Sequence, residues 1–482
     1  MTHHQKYELV VGLEVHAQLL THTKLFCGDP TRFGSAPNTQ VSPISLGHPG
    51  TLPKLNKKAI ELAIKLGLVL GCEIEEVNYF ARKNYFYPDL PKGYQISQHT
   101  APICRNGFLT IHSKNTPKNI QLNRIHIEED AGKSIHDADS QYTCIDLNRA
   151  GVALLEIVTE PVIHDSEDAA AFLIELRKKL RWLDVCDGNM EEGSMRCDAN
   201  ISIRLQGEPK LGKRVEIKNL NSIKNVKKAI DIEFDRLVSV YENNGEVVQE
   251  TRSYDADNNI TFSLRNKEDA EDYRYFPEPD LPPFLITQDD INTIASSLPQ
   301  LPDQLKETFI IKYGISIQDA ELICNDREDV SFFEKTIAYT HHYKAVINWM
   351  IGPLRHYCNE HQIAIGDFPL SAVVIADLIN LTESGKINFN NASGKILQYL
   401  INNTSSSAEN AALSLNLIQN SDLGQISIWI EETLSSMPEK VKEYRSGKKG
   451  VIGLFAGDVK KRSQGKADMQ VVHRLITEKL SQ

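Results

Sequence analysis

The sequence predicts an α+β fold in which an N-terminal antiparallel sheet is followed by helices. Three observations lead to this prediction. Segments with alternating polar and apolar residues, the pattern of half-buried strands, recur between residues 8 and 254. Two segments with helical periodicity lie between them, so helices are expected to cover the sheet. Beyond the proline-containing residues 298–303, helical periodicity replaces alternation.

Seven strands follow from the alternation. The first, Glu8–Leu19, places Glu14 and His16 on one face and Leu13 and Val15 on the other. The others are predicted at Phe108–His112, Ile120–Glu128, Tyr142–Asp146, Asp198–Arg204, Arg214–Lys218 and Glu246–Tyr254.

Two helices have clear signals at both ends. One begins at Asp165-Ser166, has acidic residues in its first turn and ends near Lys178, Lys179 and Arg181, as the helix dipole favours. The other begins at Ser222 and ends at Asn243-Asn244-Gly245.

Changes in composition along the chain predict three domains. A mixed domain covers residues 1–295, a helical domain residues 296–405, and a helical tail domain residues 406–482, with a polar linker at 402–410. The tail is basic, although the whole chain has a net charge of −11. Charge alone leaves two readings of the tail, a solvated helical surface or a contact for a phosphate backbone, and favours the first.

Composition places the chain among soluble globular proteins. The 482 residues are 41% hydrophobic and 24% charged, and no apolar run approaches the ~18 residues of a membrane span. The N-terminus lacks the apolar core of a signal peptide, and the eight cysteines form no CxxC pair. These features predict a cytoplasmic protein without membrane contact.

Charged and polar side chains collect on one face of four predicted strands. They are Glu14 and His16; Arg124, His126 and Glu128; Arg196, Asp198, Asn200 and Arg204; and Arg214, Glu216 and Lys218. Oxygen-rich groups with one imidazole suit Mg²⁺ or Mn²⁺ better than zinc, and basic residues neutralise a transferred phosphoryl group. The pattern predicts metal-assisted phosphoryl chemistry; the alternative is a network of cross-strand salt bridges.

Other motifs narrow the chemistry. Asp130–Ser134 resembles the end of a phosphate-binding loop, but Ile127 stands where that loop needs glycine, so a P-loop is excluded. The aromatic segments Asn84–Gln98 and Asp272–Asp280 either stack on a base or a tRNA end, or simply stiffen loops. There is no GxSxG elbow or amidase signature, so if the reaction uses amide nitrogen, another chain must supply it.

Seven ordered motifs carry a family resemblance. They are Val11–His16, Arg82–Asp89, Tyr94–Gln98, Glu128–Lys133, Asp146–Arg149, Met190–Asn200 and Glu216–Ser222. With Gly453–Gly457 and Gly465–Asp468 in the tail, they make the chain similar over essentially its whole length to the GatB component of the tRNA-dependent amidotransferase GatCAB.

The resemblance implies a fold, an activity and partners. The fold is a glutamine-synthetase-like cradle domain, a helical domain and a YqeY-like tail domain that binds tRNA. The activity is that of a glutamine-hydrolysing amidotransferase, an ATP-dependent ligase that forms a C–N bond. ATP phosphorylates the side-chain carboxylate of misacylated Glu-tRNA(Gln) or Asp-tRNA(Asn), and ammonia from the amidase component GatA then displaces phosphate. The expected assembly is a heterotrimer with GatA and the small GatC, and the expected cofactors are ATP and Mg²⁺.

The resemblance also assigns site residues. Catalytic residues that also bind the metal are expected at Glu14, His16, Glu128, Asp198 and Glu216, and Lys218 is a further catalytic residue. Nucleotide contacts are expected from Lys83, Asn84, Tyr85, Arg196, Asn200, Arg204 and Arg214.

One region departs from the family pattern. Many members have a zinc knuckle, a Cys-x-Cys followed by Cys-Pro-x-Cys, where this chain reads Cys27-Gly28-Asp29 and Ser42-Pro43-Ile44-Ser45. One thiolate does not make a structural zinc site. We therefore expect no structural zinc, and we expect packing to hold this loop.

Three other interpretations stay open. The archaeal E-type relative has the same chemistry, but it contains an inserted domain for which this chain has no room. A non-catalytic tRNA-binding scaffold would have lost the five metal-ligating residues, which are all present. A stand-alone carboxylate–amine ligase would act without partner proteins and without tRNA.

Overall fold

The computed structural model describes residues 6–114, 116–136, 139, 141–266, 273–418, 423–463 and 467–481. The chain divides into two compact units, Met1–Pro299 and Gln300–Gln482. The first unit contains the sheet and the second is built of helices. The division falls at the stretch where alternation ends in the sequence, while a further boundary near residue 405 stays a prediction.

A large sheet forms the first unit. Its central strands are β1 (Tyr7–Gln18), β4 (Ala81–Asn84), β5 (Tyr94–Ser97), β8 (Thr116–Glu129), β11 (Ala153–Thr159), β12 (Met195–Leu205), β13 (Val215–Leu220), β14 (Glu250–Asp255), β15 (Ile260–Asn266) and β16 (Phe276–Pro277). They lie in the order β15-β14-β13-β12-β1-β11-β8-β5-β4-β16. Short strands complete the unit: β2 (Glu73–Ile74), β3 (Val77–Asn78), β6 (Cys104–Arg105), β7 (Phe108–Ser113), β9 (Lys133–Ile135), β10 (Cys144–Asp146) and β17 (Phe284–Leu285).

The strand pairing corrects one feature of the predicted sheet. The central strands pair antiparallel, as expected, except that β13 and β14 run parallel. A helix connects these two strands and returns the chain to the same end of the sheet, as a parallel crossover requires. The seven predicted strands are present with shifted ends. Among the central strands the prediction missed β4, β5, β11, β15 and β16, and it also missed the short strands β2, β3, β6, β9 and β17.

In the described part of the first unit, the helices are α1 (Lys57–Val69), α2 (Ser166–Trp182), α3 (Ile223–Glu242) and α4 (Gln288–Ser296). The two predicted helices are confirmed as α2 and α3, with Asp165 and Ser222 as their N-caps. These helices pack together, and α3 also packs on β12. On β1, the apolar residues Leu13, Val15 and Ala17 are fully buried. The opposite, polar face of the strands is therefore the one available for chemistry.

The second unit contains helices α5 (Pro302–Tyr313), α6 (Ile317–Ile323), α7 (Arg327–Ile337), α8 (Tyr343–Trp349), α9 (Arg355–His361), α10 (Ala372–Glu383), α11 (Phe389–Asn391), α12 (Leu397–Asn402), α13 (Ala408–Ser414), α14 (Leu423–Ser436), α15 (Pro438–Arg445), α16 (Ile452–Arg462) and α17 (Met469–Ser481). Short π-helical turns occur at Met350–Leu354 and Ala392–Ile396. The predicted linker at 402–410 is shorter than expected, because Ser407 caps α13 and draws its residues into a helix.

The last four helices share an apolar core. Its buried residues include Ile426, Ile430, Phe455, Val472 and Ile476. The tail motif at Gly465 and Lys466 lies outside the described residues. Among the helices of the described ranges, none has the length and apolar character that crossing a membrane demands.

Candidate active site

Neighbouring strands place charged side chains in one pocket on the polar face of the sheet. Because β1 pairs with both β12 and β11, Glu14 lies opposite Asp198 and His16 lies opposite Glu156. Strand β8 adds Glu128. These residues line a pocket of about 390 Å³. Its other lining residues include Lys83, Tyr85, Gln95, Asp130, Arg196 and Lys218.

Two groups of metal-ligating atoms form in this pocket and share His16. One group is Glu14, His16 and Asp198, and the other is His16, Glu128 and Glu156. Within each group the donor atoms lie within 4.8 Å of one another. His16 Nε2 is 3.5 Å from Glu156 Oε2 and 3.6 Å from Glu14 Oε1. The structure therefore brings four of the five predicted ligands together and adds Glu156.

Burial and close charges shift the pKa values of these groups. Burial lowers the pKa of His16, but Glu156 and Glu128 more than reverse this, and the pKa rises to about 9. Burial would raise the pKa of Glu156, yet His126 and His16 outweigh burial and lower it. Glu14 is the opposite case, because burial and the charge of Glu156 raise its pKa. Each charge in the pocket therefore depends on its neighbours.

Two cations of the pocket are already paired with carboxylates. Lys218 Nζ donates to Asp198 Oδ2 at 2.5 Å and is 3.1 Å from Glu216 Oε1. Arg196 Nη2 donates to Asp130 Oδ2 at 2.8 Å. Lys218 and Arg196 thus line the pocket as predicted, whereas Glu216 reaches it through its contact with Lys218.

Sequence reasoning missed Glu156 and left His126 without a role. His126 Nε2 lies 3.4 Å from Glu156 Oε2 and 3.5 Å from Glu128 Oε2, so it orients both carboxylates. Strand β11 is almost entirely apolar, Ala-Leu-Leu-Glu-Ile-Val-Thr, and buried on both faces. It therefore shows no alternation. A single carboxylate inside such an apolar run was the available signal.

Four residues expected to contact the nucleotide lie outside the pocket lining. Arg204 lies six residues beyond Asp198, and therefore about 20 Å further along β12. There its Nε donates a hydrogen bond to Glu8 Oε2 at 2.6 Å. Arg214 is exposed, and Asn200 lies opposite Glu216. Asn84 donates a hydrogen bond from Nδ2 to the backbone oxygen of Arg274 at 2.8 Å. Lys83 and Tyr85 do line the pocket.

Polar contacts hold the loop where zinc was not expected. Asp29 Oδ2 accepts hydrogen bonds from the backbone N of Ser42 at 2.9 Å and from the hydroxyl of Ser45. Cys27 Sγ is 3.4 Å from Ser45 Oγ. Hydrogen bonds among the aspartate and the serines at the positions of the missing thiols therefore help to hold this loop. The expectation that packing holds it stays a prediction. The absence of zinc stays a prediction.

The donor set fits a hard divalent cation. Glu14, Asp198, Glu128 and Glu156 offer carboxylate oxygens, and His16 is the single imidazole common to both groups. Magnesium and manganese prefer this ratio of oxygen to nitrogen, whereas structural zinc prefers thiolates and imidazoles. The arrangement supports binding of one or two such ions next to basic residues.

Family comparison matches both units of the chain. Residues 9–292 match the family described as GatB/GatE catalytic domain. Residues 331–480 match the family described as GatB domain. The pocket lies within the first match and the tail helices within the second.

Individual relatives match along nearly the whole chain. Three bacteria have similar proteins that are named as the B component of aspartyl/glutamyl-tRNA(Asn/Gln) amidotransferase. The protein of Thermodesulfovibrio yellowstonii is 45% identical over 98% of both chains. The protein of Chlorobium limicola is 46% identical over 98% of this chain and 99% of its own. The protein of Persephonella marina is 44% identical over 98% of this chain and 100% of its own.

Proposed function

The chain belongs to the GatB family, and from this premise we propose that it is the ATP-dependent catalytic component of a tRNA-dependent amidotransferase. Its substrate is tRNA misacylated with glutamate or aspartate, and its product is the corresponding glutaminyl or asparaginyl tRNA. It works beside an amidase that supplies ammonia and a small third protein. The relatives' names support the amidation of tRNA, and the pocket supports the phosphoryl step.

One observation carries the phosphoryl step, namely the pair of ligand groups that share His16. A binding scaffold has no need to keep several carboxylates buried close together, because each of them costs free energy to desolvate. Glu128 and Glu156 have side chains only 6% and 9% exposed. Such a cluster is favourable when a divalent cation binds it, and this favours a kinase site over a scaffold.

The reaction balances in two steps. A carboxylate oxygen of the misacylated side chain attacks the γ-phosphorus of ATP, so that an O–P bond forms while the bond to ADP breaks. The acyl phosphate is a far better electrophile than the carboxylate. Ammonia nitrogen then attacks the acyl carbon, phosphate leaves with the electron pair of the C–O bond, and the nitrogen loses a proton to give the amide.

The residues of the pocket divide these tasks. Glu14, Asp198, Glu128, Glu156 and His16 would hold Mg²⁺. When bound, the ion neutralises phosphate charge and orients the transferred group. Three basic residues also line the pocket and would stabilise the negative charge of the phosphoryl oxygens: Arg196, Lys218 and Lys83.

The tail has the features of a tRNA contact. Its last helices present exposed basic residues, among them Lys448, Lys449, Lys460 and Lys461. Exposed cations of one sign bind a phosphate backbone by releasing its counterions. In a family that acts on tRNA, this binding function is a better explanation of the basic tail than a merely solvated surface.

Trapping of the acyl phosphate tests the proposed chemistry. The chain is assembled with its two partner proteins and given Mg²⁺-ATP and misacylated tRNA, with hydroxylamine in place of ammonia. The proposal predicts a hydroxamate on the tRNA-bound side chain that depends on ATP. Failure to form it, while glutamine-dependent amidation still proceeds, would exclude an acyl phosphate.

A further inference from the structure

Lys83 differs from the other basic residues of the pocket. Lys218 touches two carboxylates and Arg196 touches Asp130. Among the residues that the structure describes, Lys83 has no carboxylate oxygen within 4.0 Å of its ammonium. Its side chain nevertheless lines the carboxylate pocket.

Two tyrosine rings lie beside this ammonium instead. Lys83 Nζ is 5.0 Å from the ring centroid of Tyr273 and 5.7 Å from that of Tyr85. The two rings meet edge to face, with centroids 5.9 Å apart. The negative face of an aromatic ring attracts a cation without neutralising it. The rings therefore hold the ammonium in place and leave its charge available.

Backbone pairing explains why Tyr273 is there. The backbone N of Asn84 donates to the oxygen of Tyr273 at 2.8 Å, and Asn84 Nδ2 donates to the oxygen of Arg274 at the same distance. Beyond this point Phe276 pairs with Arg82, as β16 extends the edge of the sheet next to β4. Residues 273–277 are thus bound alongside the strand that contains Lys83. Asn84 fixes this segment rather than lining the pocket.

We propose that Tyr273 is a positioning residue, which keeps the Lys83 ammonium unpaired and available to a phosphate of the nucleotide. This inference rests on the proposed function, because it assigns a task within the same site. A paired cation must lose its carboxylate before it binds phosphate, which is costly in a buried site, and Lys83 need not do so. Glu128 and Glu156 attract the Lys83 ammonium through space. The Tyr273 ring counters that pull and prevents Lys83 from collapsing into an ion pair.

Equilibrium binding of Mg²⁺-ADP to the assembled complex tests this proposal without relying on turnover. Lys83→Met is expected to weaken binding about 10- to 100-fold, as loss of a charge-assisted hydrogen bond does. Tyr273→Leu should weaken it about 5- to 30-fold, and Tyr273→Phe, which keeps the ring, should stay within about twofold of wild type. In the double variant Lys83→Met/Tyr273→Leu, the loss of ADP affinity should not exceed that of Lys83→Met alone, because both substitutions act through the same ammonium group.

Phe276→Leu is the matched control. Phe276 lies on the same segment, but its ring faces Arg82, 5.8 Å away, and Arg82 is paired with Glu278 and Asp280 outside the pocket. Its loss should leave ADP binding unchanged. Fluorinated phenylalanines at position 273 provide a second test that keeps the side-chain shape. Stepwise removal of electron density from the ring should weaken ADP binding stepwise.

Three results would overturn the inference. They are an unchanged ADP affinity in Tyr273→Leu, additive losses in the double variant, and insensitivity to ring fluorination. If the wild-type complex forms the hydroxamate while these results occur, the assignment of Lys83 and Tyr273 fails and the proposed function stands. If the wild-type complex neither binds ADP nor forms the hydroxamate, both fail.

Discussion

The pocket on the sheet and the tail helices both concentrate charge, but in opposite ways. In the pocket, carboxylates such as Glu128 and Glu156 are nearly buried and lie within 4 Å of the imidazoles of His16 and His126. In the tail, Lys460 and Lys461 are exposed on the surface of a helix whose other side packs into an apolar core.

The difference predicts two kinds of behaviour. Buried charges interact strongly and are little screened, so the function of the pocket depends on the position of each group. Exposed charges of one sign act together through the ionic atmosphere, so their effect is graded and falls with salt. Substitutions in the pocket should therefore abolish chemistry at any salt concentration, whereas substitutions in the tail should weaken tRNA binding in proportion to the charge removed.

The largest effect is expected at Glu156. Glu156→Gln removes a buried charge from a ligand group and keeps the shape of the side chain, so ATP turnover should fall about 10³-fold. Glu14→Gln and Glu128→Gln should act similarly. In all three variants tRNA binding should stay near wild type. The measurement is ADP release by the assembled complex, together with tRNA affinity.

Glu8→Gln is the control for this series. Glu8 lies on the same strand and the same face as Glu14, but it pairs with Arg204 away from the pocket. Its turnover should remain within a few-fold of wild type. Equal losses in Glu8→Gln and Glu156→Gln would mean that any charge on this face matters, and the assignment of the pocket would be wrong.

The next largest effect is expected at a buried charge outside the pocket. Glu233 is fully buried and accepts hydrogen bonds from Arg236 Nη2 at 2.5 Å and from Thr261 Oγ1 at 2.7 Å. Glu233→Ala leaves Arg236 without this partner, and the free energy of unfolding should fall by about 3 kcal/mol. The variant that remains folded should turn over normally, because Glu233 contacts no residue of the pocket lining in the described contacts.

Urea unfolding measures this loss, with Glu61→Ala as the control. Glu61 forms an exposed pair with Lys58, worth less than about 1 kcal/mol. A large loss of turnover in folded Glu233→Ala would show that burial rather than pocket membership decides which charges matter for catalysis.

A smaller effect is expected in the tail. The double variant Lys460→Ala/Lys461→Ala removes two exposed charges, so tRNA affinity at moderate salt should fall severalfold. The slope of log K against log salt concentration should become less steep by up to about 1.8. ATP turnover at saturating tRNA should be unchanged. The control is Lys57→Ala/Lys58→Ala, which removes the same charge from the exposed surface of α1. Equal weakening by both pairs would indicate a diffuse charge effect and no tail contact.

The smallest effect is expected at Asp319, whose partner is largely exposed. Burial would raise the pKa of Asp319, but hydrogen bonds from Lys344 and Ser316 outweigh it and lower the pKa. A lowered pKa stabilises the fold above the ordinary carboxyl pKa of about 3.9, and the contribution disappears as pH falls through the folded value. Because the side chain of Lys344 is 63% exposed, Asp319→Asn should cost less than about 1 kcal/mol at pH 7.

Unfolding of Asp319→Asn and wild type across pH checks this expectation. The difference in stability should be largest near neutral pH. It should shrink as the pH falls through the folded pKa of Asp319 and vanish once Asp319 is protonated and, like the asparagine of the variant, uncharged. A difference that stays constant with pH would indicate that the substitution acts through packing or helix capping instead of charge.

Alternation predicted the faces of the strands but not the positions along them. Glu14 and His16 were assigned to the face that forms the pocket, and β1 confirms this. Arg204 was assigned to the same face of β12, yet it lies about 20 Å beyond Asp198. The alternation of side chains shows which side of the sheet a residue faces, but it does not show how far along the strand the residue lies from the site. That distance follows only from the pairing of the strands.

Strands buried on both faces escape this kind of analysis. Strand β11 lies between β1 and β8 at the centre of the sheet, and its residues are buried on both faces, with Leu154 and Glu156 lining the pocket. Its residues are apolar apart from Glu156 and Thr159, and no alternation marks it. Glu156, the carboxylate that joins the pocket through His16 and His126, was therefore missed.

The most direct test of a tRNA-dependent kinase site is ADP release by the assembled complex with Mg²⁺-ATP, comparing misacylated with uncharged tRNA. We expect rapid ADP release with Glu-tRNA(Gln) or Asp-tRNA(Asn), little with uncharged tRNA, and none above background in Glu156→Gln. ADP release that is equal with both tRNAs, or that needs only free glutamate and ammonia, would contradict a tRNA-dependent kinase site on this sheet.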